Sequence, residues 1–365
     1  MIFFLAVPAA ALAAEHNSSR PNPLPRCPPE DALRHLLVFH SRGEGSHAFS
    51  DSMDNLGCVN FLRGEYLHAN PDELQAFFSS SPGEWEKAVA GAIQRLIEQP
   101  STAWDTYARS YGYADAEAYH TSRLRSLRQQ LQESARDNER LGCPCTSRGT
   151  LVRMDWLDGS IHSSKSWRRR EAEHAVDGLC PLLEEGVQPV FLVRADLMRL
   201  SLSTYGRFVD GEENNPQFTI TKIERKEYDL DILEMAAWAS VGRWRTTATI
   251  VRALRERCNV RAALHVYEAF EDADGPPEGM AEYLLPCCGG RASAFATRNQ
   301  TTVRRAHTHR ISDFVRNSDA VYFHFATAAY PSFASTLAEQ GLELSEIDNI
   351  RELPAACAPS NARDS

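Results

Sequence analysis

The chain has 365 residues, of which 24% are charged and 43% hydrophobic, and its formal net charge is −10. This length allows one large α/β core or two smaller ones, and the composition is that of an ordinary globular protein. The negative charge argues against a general nucleic-acid binder, because the phosphate backbone would repel the average surface. We therefore expect no nucleic-acid partner.

The N-terminal segment, residues 1–14, is apolar and ends in small residues. It resembles a secretory signal with a cleavage site at residues 11–13, although no Lys or Arg precedes it. It is shorter than the roughly 20 residues that cross a bilayer. We expect no membrane span in the mature chain unless the natural N-terminus lies further upstream. Residues 15–30 are polar and proline-rich, which predicts a linker, and residues 353–365 are expected to be a disordered tail.

Nine cysteines are scattered along the chain, an odd number that allows at most four disulfides. Neither the pair at 143 and 145 nor the pair at 287 and 288 has zinc-ribbon spacing, so we expect no structural zinc. Cysteines together with a signal-like start favour an oxidising lumen, so we expect the secretory pathway (Golgi) or secretion. Sequons at Asn17 and Asn299 are compatible with a glycoprotein of that compartment.

Apolar runs and turn residues predict strands that alternate with helices. Strands are expected within 32–40, 149–156, 190–193 and 262–270. Helices are expected within 47–56, 71–80, 82–99, 120–141, 168–185, 197–205, 232–258, 277–285 and 302–317, with Asp231 as the cap of the helix at 232–258. This alternation predicts a parallel sheet flanked by helices, in a single α/β domain that covers residues 31–352.

The first strand runs into a loop, residues 41–46, with the sequence SRGEGS. Glycines let backbone N–H groups approach an anion, and the helix that follows adds the dipole of its N-terminus. The loop lacks the lysine of the NTPase phosphate loop. Taken alone, the loop favours the interpretation of an ordinary turn.

The strand at 190–193 is followed by a cation and a helix start. Arg194 ends the apolar run, and Asp196 has the chemistry of a helix N-cap. Open α/β sheets bind ligands at the carboxyl ends of their strands, and an arginine beside a helix N-terminus favours an anion. A surface ion pair is the simpler interpretation of Arg194 taken alone.

These two segments resemble the donor-binding motifs of sulfotransferases that use 3′-phosphoadenosine-5′-phosphosulfate. Arg194 and Ser203, nine residues apart, resemble the 3′-phosphate signature, with Ser201 as an alternative ligand. The segment 64–67, GEYL, resembles the family's G-x-P-x-E-[YF]-F element in order and approximate spacing. The likeness is closest to bacterial carbohydrate sulfotransferases that act on trehalose and nodulation oligosaccharides. The loop residues that the resemblance assigns to the 5′-phosphosulfate are Arg42, Gly43, Gly45 and Ser46.

The resemblance implies a P-loop-like parallel sheet flanked by helices, the sulfotransferase fold. It also implies transfer of a sulfonate from that donor to a hydroxyl of a small-molecule or glycan acceptor, with no metal. Glu65 aligns with the carboxylate that deprotonates the acceptor, although without this context it reads equally well as a surface glutamate. The pair at 267–268, Tyr-Glu, resembles the family's Y-E-[DN]-L element, for which we expect a structural role.

Glu44 departs from the family pattern, because it lies in a loop that has one extra residue. A carboxylate about 4 Å from a sulfonate would cost about 4 kcal/mol at an effective dielectric near 20. One charged hydrogen bond contributes only ~1.5–3 kcal/mol. Glu44 must therefore point outward, or the chain is a catalytically degenerate lumenal binding protein. A glycosyltransferase is a further alternative, because Asp272-Ala273-Asp274 has the pattern of a metal-binding D-x-D.

Overall fold

A computed structural model describes the chain in separate segments. These are residues 35–41, 46, 49–50, 53, 59–62, 67, 71–79, 84–98, 105, 108–109, 112–141, 147–154, 176–209, 225–269, 310–343 and 348–349. The signal-like segment, the linker, the C-terminal tail, both sequons and the D-x-D pattern lie outside the described residues.

Parallel strands form one sheet in the order β2-β3-β1-β4-β5-β6. The strands are β1 His35–His40, β2 Val59–Leu62, β3 Ser147–Arg153, β4 Val187–Val193, β5 Ala263–Val266 and the two-residue β6 Asp348–Asn349. The central strand β1 pairs with β3 on one side and with β4 on the other. This arrangement confirms the α/β class and the parallel sheet that the sequence predicted.

Helices flank the sheet on the described part of the chain. They are α1 Pro71–Ser79, α2 Trp85–Glu98, α3 Ala116–Leu141, α4 Cys180–Glu184, α5 Leu197–Val209, α6 Leu230–Cys258, α7 Ile311–Phe314, α8 Ser318–Thr327 and α9 Phe333–Glu339. A single 3₁₀ turn, Tyr267–Ala269, follows β5. No described helix combines the length with the apolar composition that a bilayer crossing requires.

The two faces of the sheet bury different side chains. On one face Phe39 and Phe191 stack with ring centroids 4.8 Å apart, inside the main apolar core that also includes Trp244 of α6. On the other face the buried ring of Phe49 lies 5.7 Å from that of Phe61. The first face is an ordinary hydrophobic core, whereas the second combines apolar and basic side chains.

Helix caps account for two differences between the predicted and the observed helices. Helix α3 begins at Ala116, earlier than predicted, because the Asp115 carboxylate accepts a hydrogen bond from Ala118 N–H at 2.8 Å. The prediction that Asp231 caps α6 was wrong. The cap is Asp229, whose carboxylate accepts hydrogen bonds from the amides of Asp231 and Ile232 at 2.9 and 3.2 Å.

Of the helix predicted over 168–185, the described residues 176–177 and 180–184 are helical and a turn at 178–179 separates them, whereas residues 168–175 lie outside the described residues. A disulfide joins Cys180 of α4 to Cys258 at the end of α6, across a sequence separation of 78 residues. This bond agrees with the expectation of disulfides. The remaining seven of the nine cysteines lie outside the described residues.

Candidate functional site

The carboxyl ends of β1 and β4 lie side by side at the point where the chain connections diverge. β1 leads to β2 on one side of the sheet, and β4 leads to β5 on the other. Open parallel sheets bind ligands in the crevice at such a switch point. Ser41 follows β1 and Arg194 follows β4. The two segments that the sequence assigned to the donor therefore start on the two sides of this crevice.

Polar side chains form a row across the sheet near these carboxyl ends. Register places Arg153 beside His40 and Leu192 beside His265. Because β1 and β4 also pair in register, His40 is next to Leu192. Side chains that are paired in this way project from the same face of a parallel sheet.

Arg194 directly follows β4, two residues after Leu192, and so lies at the same edge of the sheet as this row. All four basic side chains are almost completely buried: His40 (1% exposed), Arg153 (5%), Arg194 (3%) and His265 (4%). Arginine cannot be deprotonated in proteins, so two of the four carry permanent positive charge. Buried positive charge at a switch point favours an anionic ligand.

Arg194 lies against residues that follow β5. Its Nε is 4.0 Å from Oε1 of Glu268, and its Cζ is 4.9 Å from the ring centroid of Tyr267. The indole N–H of Trp244 donates a hydrogen bond to the Arg194 carbonyl oxygen at 3.1 Å. The Arg194 side chain of this ion pair is buried, whereas the Glu268 side chain is partly exposed. The pair therefore differs from the surface ion pair that the sequence alone suggested.

Glu268 also binds the backbone at the start of α5. The Ala195 N–H donates to Oε2 at 2.9 Å, and the Asp196 N–H donates to Oε1 at 2.8 Å. Asp196 in turn accepts a hydrogen bond from Arg199 N–H at 3.0 Å, which confirms it as the N-cap of α5. The two amides that precede helix α5 are thus bonded to a carboxylate of the chain itself.

The two candidate serines of α5 lie on different sides of the helix. Ser201 is fully buried, and its hydroxyl donates to the Leu197 carbonyl oxygen at 2.6 Å. Ser203 is half-buried and lies on the same side of α5 as Asp196, two turns or about 10 Å further along. Of the two, Ser203 is the one whose side of the helix is accessible.

Most of the loop that the sequence assigned to the 5′-phosphosulfate lies outside the described residues. This applies to Arg42, Gly43, Glu44 and Gly45. Ser46 is described, as a half-buried helical residue. The candidate base Glu65 also lies outside the described residues, so its role stays a prediction.

The groups with shifted pKa values do not belong to the row of basic side chains. Burial, assisted by the charge of Arg148, lowers the pKa of His35 to about 4 at the amino end of β1. Burial also lowers the pKa of His120 on α3 to about 4 and raises the pKa of Tyr330 after α8. Among the described residues there is no group of three or more side chains that could hold a metal ion.

Sequence reasoning did not select His40, Arg153, His265 or Glu268 as site residues. A local signal existed for His40, Arg153 and His265, since each is a polar residue within an apolar strand. Comparison of the chain with family models, with curated proteins and with solved structures gives no match. The function is therefore argued from these residues and from their placement.

Proposed function

We propose that the protein is a sulfotransferase that moves a sulfonate from 3′-phosphoadenosine-5′-phosphosulfate to a hydroxyl, on a carbohydrate acceptor. The observation that carries the proposal is that two motif segments begin directly after neighbouring strands at one switch point. They are the loop at 41–46 after β1 and Arg194 after β4. The same proposal includes a P-loop-like fold for the sheet. It also includes location in the secretory lumen, with which the Cys180–Cys258 disulfide is compatible.

The donor carries anions at both ends, and the proposal assigns each end to one segment. Arg194 and Ser203 bind the 3′-phosphate. Ser201 is the weaker candidate, because its hydroxyl is already bonded to the Leu197 carbonyl oxygen. The 5′-phosphosulfate is bound by the loop residues Arg42, Gly43, Gly45 and Ser46.

The reaction requires a proton acceptor and stabilised negative charge. The acceptor oxygen forms a bond to sulfur while its proton passes to Glu65. The bond between sulfur and the bridging phosphate oxygen breaks, and the electron pair leaves with 3′-phosphoadenosine 5′-phosphate. Fixed positive charge near the sulfonate lowers the barrier to this step. Buried Arg153, beside His40 at the end of β1 that leads into the 41–46 loop, is a described residue that supports such a role.

The alternative proposal is a catalytically degenerate member that binds ligands without turnover. Glu44 favours it, since a carboxylate in the phosphate loop opposes a sulfonate. The glycosyltransferase alternative has no such support, because its D-x-D lies outside the described residues.

Calorimetry with 3′-phosphoadenosine 5′-phosphate tests the proposal. We expect binding by the wild-type protein and its loss in Arg194→Ala. The donor assignment would be wrong if the wild type did not bind the nucleotide, or if Arg194→Ala bound it as tightly as the wild type. A screen of sugars and small alcohols with radiolabelled donor then separates the enzyme from the degenerate binding protein, which would bind and not transfer.

A further inference from the structure

Glu268, in the 3₁₀ turn after β5, contacts the turn at 194–196 that carries Arg194. It makes three polar contacts with that turn: two amide hydrogen bonds at 2.9 and 2.8 Å and the ion pair with Arg194 at 4.0 Å. The residues bonded through their amides, Ala195 and Asp196, directly follow the arginine in the chain. Glu268 therefore restrains the backbone from which the Arg194 side chain and helix α5 both project.

Other contacts define the same turn from different directions. Trp244 of α6 holds the Arg194 carbonyl oxygen, and the Tyr267 ring lies beneath the guanidinium. Register pairs Val193 with Val266, so the ends of β4 and β5 are level. Glu268 is the acidic member of this set, and its side chain is 29% exposed, whereas the arginine side chain is 4% exposed.

We propose that Glu268 is a positioning residue for anion binding: its carboxylate orders the 194–196 turn, and thereby places the Arg194 guanidinium for the donor phosphate. This inference rests on the proposed function, because it assumes that Arg194 contacts the donor. Displacement of a binding group by about 1 Å can cost two orders of magnitude in function. A residue that holds such a group through three contacts should therefore affect affinity without touching the ligand.

An opposite effect of the same carboxylate has to be weighed. Glu268 is negatively charged, so it also repels an external anion, and its removal would relieve that repulsion. The carboxylate is already bonded to two amides and faces a guanidinium, all of which compensate its charge. We therefore expect the loss of order to outweigh the relief of repulsion.

The chain offers a matched control for the Glu268→Gln variant. Asp229, the N-cap of α6, is likewise a carboxylate that accepts hydrogen bonds from two backbone amides. It lies fifteen residues before Trp244, or about 22 Å along the helix from the level of the Arg194 carbonyl. Asp229→Asn should lower thermal stability, as Glu268→Gln does, without a change in anion affinity.

The test measures thermal stability and the dissociation constant of 3′-phosphoadenosine 5′-phosphate for the wild type, Glu268→Gln and Asp229→Asn. We expect Glu268→Gln to weaken binding about ten-fold and Asp229→Asn to change it by less than about two-fold. In an Arg194→Lys background, Glu268→Gln should add less than about two-fold, because the two residues act as one unit. Binding by Glu268→Gln that equals or exceeds that of the wild type overturns the positioning role, and tighter binding identifies repulsion as the dominant effect.

Inorganic sulfate separates this proposal from the proposed function. If the wild type binds sulfate but not the nucleotide, the donor assignment fails, and the Glu268 comparison is made on sulfate affinity with the same expected changes. If the wild type binds neither probe, both proposals fail. If nucleotide binding depends on Arg194 and not on Glu268, the proposed function stands and the positioning role is wrong.

Discussion

Gly149 lies in β3 at the point where the sheet has no room for a side chain. A Cβ on this residue would be 2.4 Å from Cδ2 and 2.6 Å from Cε2 of the Phe61 ring. Carbon atoms in contact are normally about 3.5–4.0 Å apart, so the overlap exceeds about 1 Å. Phe61 is 1% exposed and packs on Phe49, so its ring cannot simply turn into solvent. We expect Gly149→Ala to lower the free energy of unfolding by about 1–3 kcal/mol, the usual cost of an overpacked core.

Gly242 is the matched control, since a Cβ there meets nothing within 4 Å. It lies on the exposed side of α6, where alanine is preferred to glycine by about 0.5–1 kcal/mol. The two Gly→Ala changes should therefore differ in sign when unfolding by urea is followed through tryptophan fluorescence. A Gly149→Ala protein as stable as the Gly242→Ala protein would refute the packing of Phe61 over β3. If the packing is as described, the cost of Gly149→Ala should also shrink in a Phe61→Ala background.

Three further predictions concern pH, the disulfide and the candidate base. The folded-state pKa of His35, about 4, lies below its ordinary value of 6.5, so its contribution to stability is present above pH 6.5 and is lost as the pH falls towards 4. Between pH 7 and 5 the free energy of unfolding of the wild type should fall by about 1–2 kcal/mol more than that of His35→Asn. Asparagine keeps an acceptor for the Arg148 backbone amide. Equal decreases in urea titrations of the two proteins would contradict this prediction. Replacement of Cys180 and Cys258 by serine should lower the free energy of unfolding by about 2–4 kcal/mol. If reduction of the wild-type protein left its urea midpoint unchanged, that result would argue against the disulfide. Glu65→Gln should abolish turnover with little change in donor affinity, and an equal loss of both would remove Glu65 from the role of base.

The strands β1 and β4 were predictable because strands that are buried on both faces read as continuous apolar runs. The cap at Asp196 was predictable for a local reason, since a carboxylate before a helix bonds the free amides of its first turn. The cap of α6 was not, because Asp229 and Asp231 have the same chemistry and only the backbone conformation distinguishes them. The four-residue β2 was not predicted as a strand, because its partner β3 is more than 80 residues away in the chain and lies beside it only in the folded sheet.

The sequence alone determined the class of the fold, the positions of most of the described helices and the position of Arg194 at the end of a strand. These features depend on residue type and on neighbours a few positions away, which the chain displays directly. Only the tertiary structure decided that His40, Arg153 and His265 lie in one row, at the edge of the sheet where Arg194 follows β4, because strand order and register join residues that are far apart in sequence. It also decided that Glu268 bonds the amides at the start of α5. That contact joins residues more than 70 positions apart, and it exists because β4 and β5 end at the same level of the sheet.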